Sequence, residues 1–238
     1  NNETGAIQPI KEIGKMLQKS KRNQLLLFHT DAVQAIQFYE PRLDYLKVDA
    51  MTISAHKIYG PKGTGALIAK KHVALSPLLR GGGQEFEKRS GTPNLPAIIG
   101  LGKAIELLQG QGTRERESAR LQELKTRLKN GILSEVKNAK MIADGKNSAP
   151  HILSVIFPGI ESQVMLIALD QEGIAVSSGA ACSVKAVKPS HVLRSLGYTQ
   201  REALSAIRFS LGAYTTEEEV QRTIQVIGNI IKRFNIRV

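Results

Sequence analysis

The chain has 238 residues, of which 42% are hydrophobic and 23% are charged, a balance typical of a globular protein. Its formal net charge of +12 is shared equally by residues 1–112 and 113–238, and it has no Trp to stack on bases, so we expect a lysine-rich solvated surface rather than nucleic-acid binding. No apolar run approaches the roughly 18 residues of a membrane span, and no signal-peptide pattern is visible. The single cysteine excludes an intrachain disulfide. Together these features predict a cytoplasmic protein.

The first half of the sequence predicts an open α/β sheet. A helix is expected within residues 6–20, where Ile10, Ile13 and Leu17 recur at helical spacing. Three short apolar segments then suit parallel strands that are covered by helices on both faces; they read QLLLFHTDA, VDAMTISA and TGALIAK. A glycine-rich, charged loop, LLRGGGQEFEKRSGTPN, leads into a helix from about Leu95 to Leu108.

The second half begins with a long amphipathic helix from Thr113 that carries an apolar face of Leu121, Leu124 and Leu128. The elements expected after it are strand HILSVIF, helix SQVMLIALDQE, a loop around SSGAACSVKAVKPS, a short helix, strand AIRFSLG and a final helix from Thr216. We place a domain boundary near Gly112. Residues 1–112 would form part of a larger domain, and residues 113–238 a smaller α/β domain.

Polar side chains stand where two of the predicted strands end. One group is His29, Thr30 and Asp31, and the other is Ser54, His56 and Lys57. In open α/β sheets, ligands bind outside the carboxyl ends of the strands. The sequence therefore predicts a binding site at this edge of the sheet.

Lys57 is the first candidate for chemistry. A lysine amine that attacks a carbonyl cofactor must be partly desolvated so that it loses its proton. The alternative is an ordinary surface lysine in a turn. Asp31 favours the first reading, because pyridoxal phosphate enzymes pair a reactive lysine with a carboxylate for the pyridine nitrogen. Asp31 would also serve as the N-cap of a helix beginning near Ala32.

Cys182 is the second candidate. It follows small residues in SSGAAC, and Lys185 and Lys188 nearby would favour its thiolate form. An inert buried thiol is the alternative. A cysteine-protease site is not favoured, because none of the five histidines stands in a diagnostic motif. Those histidines also lack the spacing of metal ligands, so no metal site is expected.

Five motifs together resemble the group I cysteine desulfurases, which are fold-type I pyridoxal phosphate enzymes: HTDAVQ, SAHKIYGPKGTGAL, GGGQEFEKRSGT, SSGAACS and IRFSLG. The resemblance implies an α/β fold in which residues 1–112 are the C-terminal part of the large parallel-sheet domain. It also implies sulfur removal from L-cysteine, which leaves L-alanine and a persulfide on Cys182.

The resemblance also implies a role for each matching residue. Lys57 would hold pyridoxal phosphate covalently and move protons on the substrate, and Arg208 would bind the substrate carboxylate. The remaining contacts to the cofactor would be Asp31 to the pyridine nitrogen, Gln34 and Asn2 to the phenolic oxygen and nearby substrate atoms, Ser54 and His56 to the phosphate, and Thr92 to the phosphate in a partner subunit.

That role of Thr92 implies a homodimer, and the loop that carries Cys182 would deliver sulfur to an acceptor protein for iron-sulfur cluster assembly or tRNA thiolation. Members of the family are longer, so we expect this chain to lack an N-terminal part that carries phosphate-binding and ring-stacking residues. Two alternatives remain: another pyridoxal phosphate lyase or aminotransferase of the same fold, and a catalytically incomplete fragment.

Overall fold

The computed structural model describes residues 1–19, 26–110, 113–179 and 189–234. The chain divides into two compact units. The first unit is Pro9–Glu115, and the second unit joins Asn1–Gln8 to Arg116–Val238. The eight residues at the start of the sequence therefore pack with its second half.

The first unit is an α/β structure, as predicted. Its elements are helix α1 (Ile10–Lys19), strand β1 (His29–Asp31), helix α2 (Leu43–Leu46), strand β2 (Ala50–Ser54), a 3₁₀ helix (Ala55–Ile58), strand β3 (Gly65–Ala69) and helix α3 (Leu95–Leu108). The sheet has the order β1-β2-β3. Strands β1 and β2 are parallel, and β3 runs antiparallel to β2.

The prediction of a covered parallel strand at TGALIAK is wrong, since Leu67 and Ile68 on β3 are exposed and β3 is antiparallel. The direction follows because residues 55–64, which link β3 to β2, form a tight turn. A parallel return needs a crossover of roughly a dozen residues or more.

Strand β1 is shorter than the apolar run predicted, since it begins only at His29. Its first residue pairs with Ala50, the first residue of β2, and Leu26 and Leu27 before it are exposed rather than buried as predicted.

Buried side chains from β2, the turns after β1, the 3₁₀ helix and α3 form the core of the first unit. They are Ala32, Ile36, Met51, Ile53, Ala55, Ile58, Leu101 and Ala104. Helix α3 has the bounds that the sequence predicted. It begins at a cap in which Asn94 Oδ1 accepts a hydrogen bond from the Ala97 N–H at 3.3 Å. The core thus lies directly beneath the turn that carries Lys57.

The second unit is built on an antiparallel sheet of order β4-β5-β6. Its elements are helix α4 (Thr113–Glu135, whose first three residues belong to the first unit), strands β4 (Lys140–Ile142) and β5 (Ile152–Ile156), helices α5 (Ser162–Gln171), α6 (His191–Ser195) and α7 (Gln200–Leu204), strand β6 (Ala206–Ser210) and helix α8 (Glu217–Arg233). Every residue of the central strand β5 is buried. The predicted strand and helix segments of this half are confirmed, but β4 was not predicted, and α6 and α7 stand where one short helix was expected.

Local signals explain where the helices of the second unit begin. Thr199 and Glu202 form a reciprocal capping box at α7, and Thr216 and Glu219 form another at α8. The apolar face of α4 is buried as predicted, at Leu121, Leu124 and Leu128. None of the helices in the described part of the chain combines the length and apolar character needed to cross a membrane.

Lys125 on α4 is buried, with only 1% of the residue exposed. Its ammonium donates hydrogen bonds to Ser148 Oγ at 2.5 Å and to the Ala149 carbonyl at 2.9 Å. Burial lowers the pKa of Lys125, because a desolvated ammonium is disfavoured, while Asp144 acts in the opposite direction. This lysine therefore ties the segment before β5 to helix α4.

Candidate active site

Lys57 projects from the 3₁₀ helix that directly follows β2. Ala55 and Ile58 at the two ends of that helix are buried, whereas His56 and Lys57 between them are exposed. Tyr59 then adopts a left-handed conformation with φ of 63°, and the Gly60 N–H donates to the Ala55 carbonyl at 2.9 Å. The two apolar anchors hold the turn on the core and direct the lysine outward.

Ser54 and His56 lie on either side of the start of this turn. Ser54 Oγ and His56 Nδ1 are hydrogen-bonded at 2.8 Å. Gly65 pairs with Ser54 across the sheet, where a Cβ on Gly65 would lie only 2.5 Å from the Ile53 carbonyl oxygen. A hydroxyl and an imidazole on one short turn form a polar pair next to the lysine.

Helix α3 supports the lysine turn from below. A Cβ on Gly100 would lie 2.4 Å from Cγ of Pro61, and a Cβ on Gly60 would lie 3.3 Å from Cβ of Ala104. The helix therefore reaches the turn only because Gly100 has no side chain. Sequence reasoning missed this support, although small residues recur on one face of α3 at Ala97, Gly100 and Ala104.

Asp31 ends β1 at the same edge of the sheet. In the parallel register it pairs with Thr52, two residues before Ser54. Its Oδ1 accepts a hydrogen bond from the Val33 N–H at 2.9 Å. The helix expected to begin near Ala32 is wrong, because residues 33–39 form hydrogen-bonded turns instead. Gln34 lies in those turns and is half-buried.

The predicted strand-end cluster is therefore brought to one edge of the sheet, since parallel strands end on the same side. His29 adds a further contact between the two strands, with its Nε2 2.8 Å from Thr52 Oγ1.

Thr92 is exposed in the glycine-rich loop before α3. Three consecutive residues of that loop, Glu85, Phe86 and Glu87, have positive φ values of 53°, 57° and 63°. Such a conformation costs roughly 1–2 kcal/mol per residue that is not glycine. The loop is held by its own hydrogen bonds, including one from Ser90 Oγ to the Gly82 carbonyl at 2.8 Å.

Arg208 and Asn2 come together in the second unit. Arg208 is the central residue of β6, and its Nη1 donates to the Asn2 carbonyl at 2.7 Å. Its backbone also pairs with Ser177, with N···O distances of 2.7 Å and 3.2 Å. The motif SSGAAC thus begins beside Arg208. Cys182 itself, with Lys185 and Lys188, lies outside the described residues.

The residues of the first unit fit pyridoxal phosphate. Its aldehyde needs a lysine amine, its pyridine nitrogen a carboxylate, and its phosphate several hydrogen-bond donors. Lys57, Asp31 and the Ser54–His56 pair supply these groups at one sheet edge. Within the described ranges, no group of three or more His, Cys, Asp or Glu side chains is arranged to hold a metal ion.

Comparison with known proteins identifies the family of the chain. The family model for aminotransferase class-V matches residues 1–223. A cysteine desulfurase of Sinorhizobium fredii is 39% identical over 233 residues, which cover 98% of this chain and 59% of that protein. The cysteine desulfurase IscS of Clostridium botulinum is 42% identical over 235 residues, which cover 98% of this chain and 58% of that protein.

The fold is similar to that of solved relatives. A NifS-like protein from Rickettsia africae superimposes with a TM-score of 0.87 at 33% identity, covering 98% of this chain and 60% of that one. A second NifS-like protein gives a TM-score of 0.86 at 37% identity, with 98% and 59% covered. The chain therefore spans about three-fifths of the length of the proteins that it matches.

Proposed function

This chain belongs to the aminotransferase class-V family, and on that premise we propose that it acts in a pyridoxal phosphate-dependent cysteine desulfurase. The proposed reaction removes sulfur from L-cysteine and leaves L-alanine and a persulfide on Cys182. The observation that carries the proposal is the exposed Lys57, held between buried Ala55 and Ile58 beside the Ser54–His56 pair. The names of the relatives point to the same reaction.

The predicted site residues of the first unit divide these tasks in the proposal. Lys57 holds the cofactor covalently and then moves protons on the substrate. Asp31 pairs with the pyridine nitrogen, and Ser54 and His56 donate to the phosphate. Gln34 contacts the phenolic oxygen. When bound, pyridoxal phosphate supplies an electron sink for the substrate carbons.

The second unit supplies the substrate contacts. Arg208 presents a planar guanidinium, which binds a carboxylate through two parallel hydrogen bonds. Its position in the middle of β6, with both backbone groups bonded to Ser177, supports this role. Asn2 would contact the phenolic oxygen of the cofactor and nearby substrate atoms, and its carbonyl, which accepts a hydrogen bond from Arg208, supports that role.

The sulfur step balances without an outside oxidant. The Cys182 thiolate attacks the sulfur of the substrate, and a sulfur–sulfur bond forms as the carbon–sulfur bond breaks. The electron pair of the broken bond stays with the substrate β-carbon, which then takes up a proton. Alanine has one sulfur atom fewer than cysteine, and that atom becomes the outer sulfur of the persulfide.

We further propose a cytoplasmic homodimer that passes sulfur to an acceptor protein. A single cysteine suits a reducing compartment, where a thiol stays available. The exposed Thr92 would reach the cofactor phosphate of the partner subunit. The persulfide would serve iron-sulfur cluster assembly or tRNA thiolation.

The test is product analysis with L-cysteine and pyridoxal phosphate. Alanine and a persulfide on Cys182 are expected in equal amounts during the first turnover. Cys182→Ser should keep cofactor absorbance and lose the persulfide. Pyruvate and ammonia as the products would identify a lyase instead, and a normal rate of sulfide release in the serine variant would remove Cys182 from the mechanism.

A further inference from the structure

Glu3 is a buried carboxylate that the predicted site does not include, with only 4% of the residue exposed. Its Oε2 accepts a hydrogen bond from Ser190 Oγ at 2.5 Å, across 187 positions of sequence. Ser190 is the N-cap of α6, where its Oγ also accepts from the Leu193 N–H at 3.3 Å. A hydrogen bond of this length lies at the short end of the usual range for O–H···O contacts. Glu3 therefore fastens the turn of residues 1–5 to the first turn of α6.

The same turn is internally ordered. Asn1 Oδ1 accepts from the N–H groups of Glu3 and Thr4, each at 2.9 Å. The Gly5 N–H donates to the Asn1 carbonyl at 2.9 Å, and the Ala149 N–H donates to the Gly5 carbonyl at 2.7 Å. These hydrogen bonds fix the backbone on both sides of the peptide group that joins Asn2 to Glu3.

That peptide group holds Arg208. Its carbonyl oxygen is the acceptor for Arg208 Nη1 at 2.7 Å. A guanidinium on a flexible stem takes its direction from such acceptors, because its donors form a rigid planar fork. A shift of the turn of residues 1–5 would move the Asn2 carbonyl and, with it, the guanidinium of Arg208.

Gly179 lies close to this attachment. A Cβ on Gly179 would be 3.7 Å from Cβ of Ser190 and 3.9 Å from Oε2 of Glu3. Ser177, two residues earlier, is bonded to the backbone of Arg208. The Glu3–Ser190 hydrogen bond therefore lies next to the segment whose Ser177 is bonded to Arg208.

We propose that Glu3 is a positioning residue for Arg208. Its hydrogen bond to Ser190 fixes the turn that presents the Asn2 carbonyl, and that carbonyl directs the guanidinium toward a carboxylate ligand. The inference rests on the proposed function in taking that ligand to be the α-carboxylate of cysteine. Binding of substrate should then depend on Glu3, whereas sulfur transfer in the saturated enzyme should not.

The first measurement is independent of activity. Phenylglyoxal modifies exposed arginines, and peptide mapping gives the rate at Arg208 in the absence of substrate and cofactor. Glu3→Leu, which removes the acceptor at similar volume, should change that rate. Glu3→Gln retains an acceptor oxygen for Ser190 and should stay close to the wild type. The matched control is Glu202→Leu, which removes a carboxylate of the same unit that caps α7.

The second measurement is kinetic. Glu3→Leu should raise KM for cysteine by about tenfold with little change in kcat, since a small displacement of a substrate-positioning group has effects of this order or larger. Ser190→Ala removes the same hydrogen bond from the other side and should have the same direction of effect. If circular dichroism shows that Glu3→Leu does not fold, Ser190→Ala takes its place in both measurements.

The outcomes separate the two proposals. An unchanged Arg208 modification rate in Glu3→Leu would overturn the inference, and so would an equal change in Glu202→Leu. The modification rate of Arg208 could change in Glu3→Leu and not in Glu202→Leu while the wild type makes no alanine from cysteine. That result would support the positioning role of Glu3 and reject the desulfurase reaction.

Discussion

Gly100→Ala tests whether helix α3 sets the position of the lysine turn. A Cβ at residue 100 would lie 2.4 Å from Cγ and 2.8 Å from Cδ of Pro61. Atoms of a proline ring cannot rotate away, so either the helix or the turn must move. Overpacking of this kind costs about 1–3 kcal/mol. Replacing glycine by alanine in a helix interior by itself raises the free energy of unfolding by about 1 kcal/mol.

The same helix offers a matched control. Gly102 is two residues further on, and a Cβ there would meet nothing within 4 Å. Gly102→Ala should therefore stabilise the protein by about 0.5–1 kcal/mol. The free energies of unfolding of the two variants should differ by about 1–3 kcal/mol, which is the overpacking term alone.

Urea unfolding followed by circular dichroism measures this difference. With a slope of about 2 kcal/mol per molar urea, a gap of 2 kcal/mol separates the two midpoints by about 1 M. Pro61→Ala removes the ring, and Gly100→Ala added to that variant should cost little. Because Lys57 is four residues before Pro61, Gly100→Ala should also reduce the fraction of protein that binds pyridoxal phosphate. Equal midpoints for the Gly100 and Gly102 variants would refute the reasoning.

Two further predictions concern lysines. Borohydride reduction of the protein loaded with pyridoxal phosphate should label Lys57, because it stands exposed beside Ser54 and His56, and peptide mapping will show it; a label on Lys62 or Lys70 instead would contradict the assignment. Burial lowers the pKa of Lys125, so the charged ammonium reduces the free energy of unfolding at pH values below that pKa. This destabilisation disappears as the pH rises toward the ordinary pKa of 10.5, because the amine is then neutral in both states. The stability of the wild type relative to Lys125→Met, from urea midpoints, should therefore rise between neutral pH and pH 10.5, and a constant difference would show that Lys125 titrates normally.

Local patterns in the sequence determined most of the helices and strands. Helix α3 has its predicted bounds, and α4 buries the predicted leucines. Both results follow because a helix that buries one face has apolar residues at helical spacing within its own sequence. The placement of Asp31 and Ser54 at one sheet edge also followed from sequence, since it needed only two consecutive parallel strands.

Contacts between distant residues were decided only by the tertiary structure. Arg208 meets Asn2 across 206 positions, and Glu3 meets Ser190 across 187. Gly100 and Pro61 are close because α3 packs against the lysine turn. Such pairs leave no periodic trace, because each residue by itself satisfies the local rules for a turn, a cap or a helix. The sequence alone determined where the lysine lies along the chain, and the packing of distant segments decided what holds it and Arg208 in place.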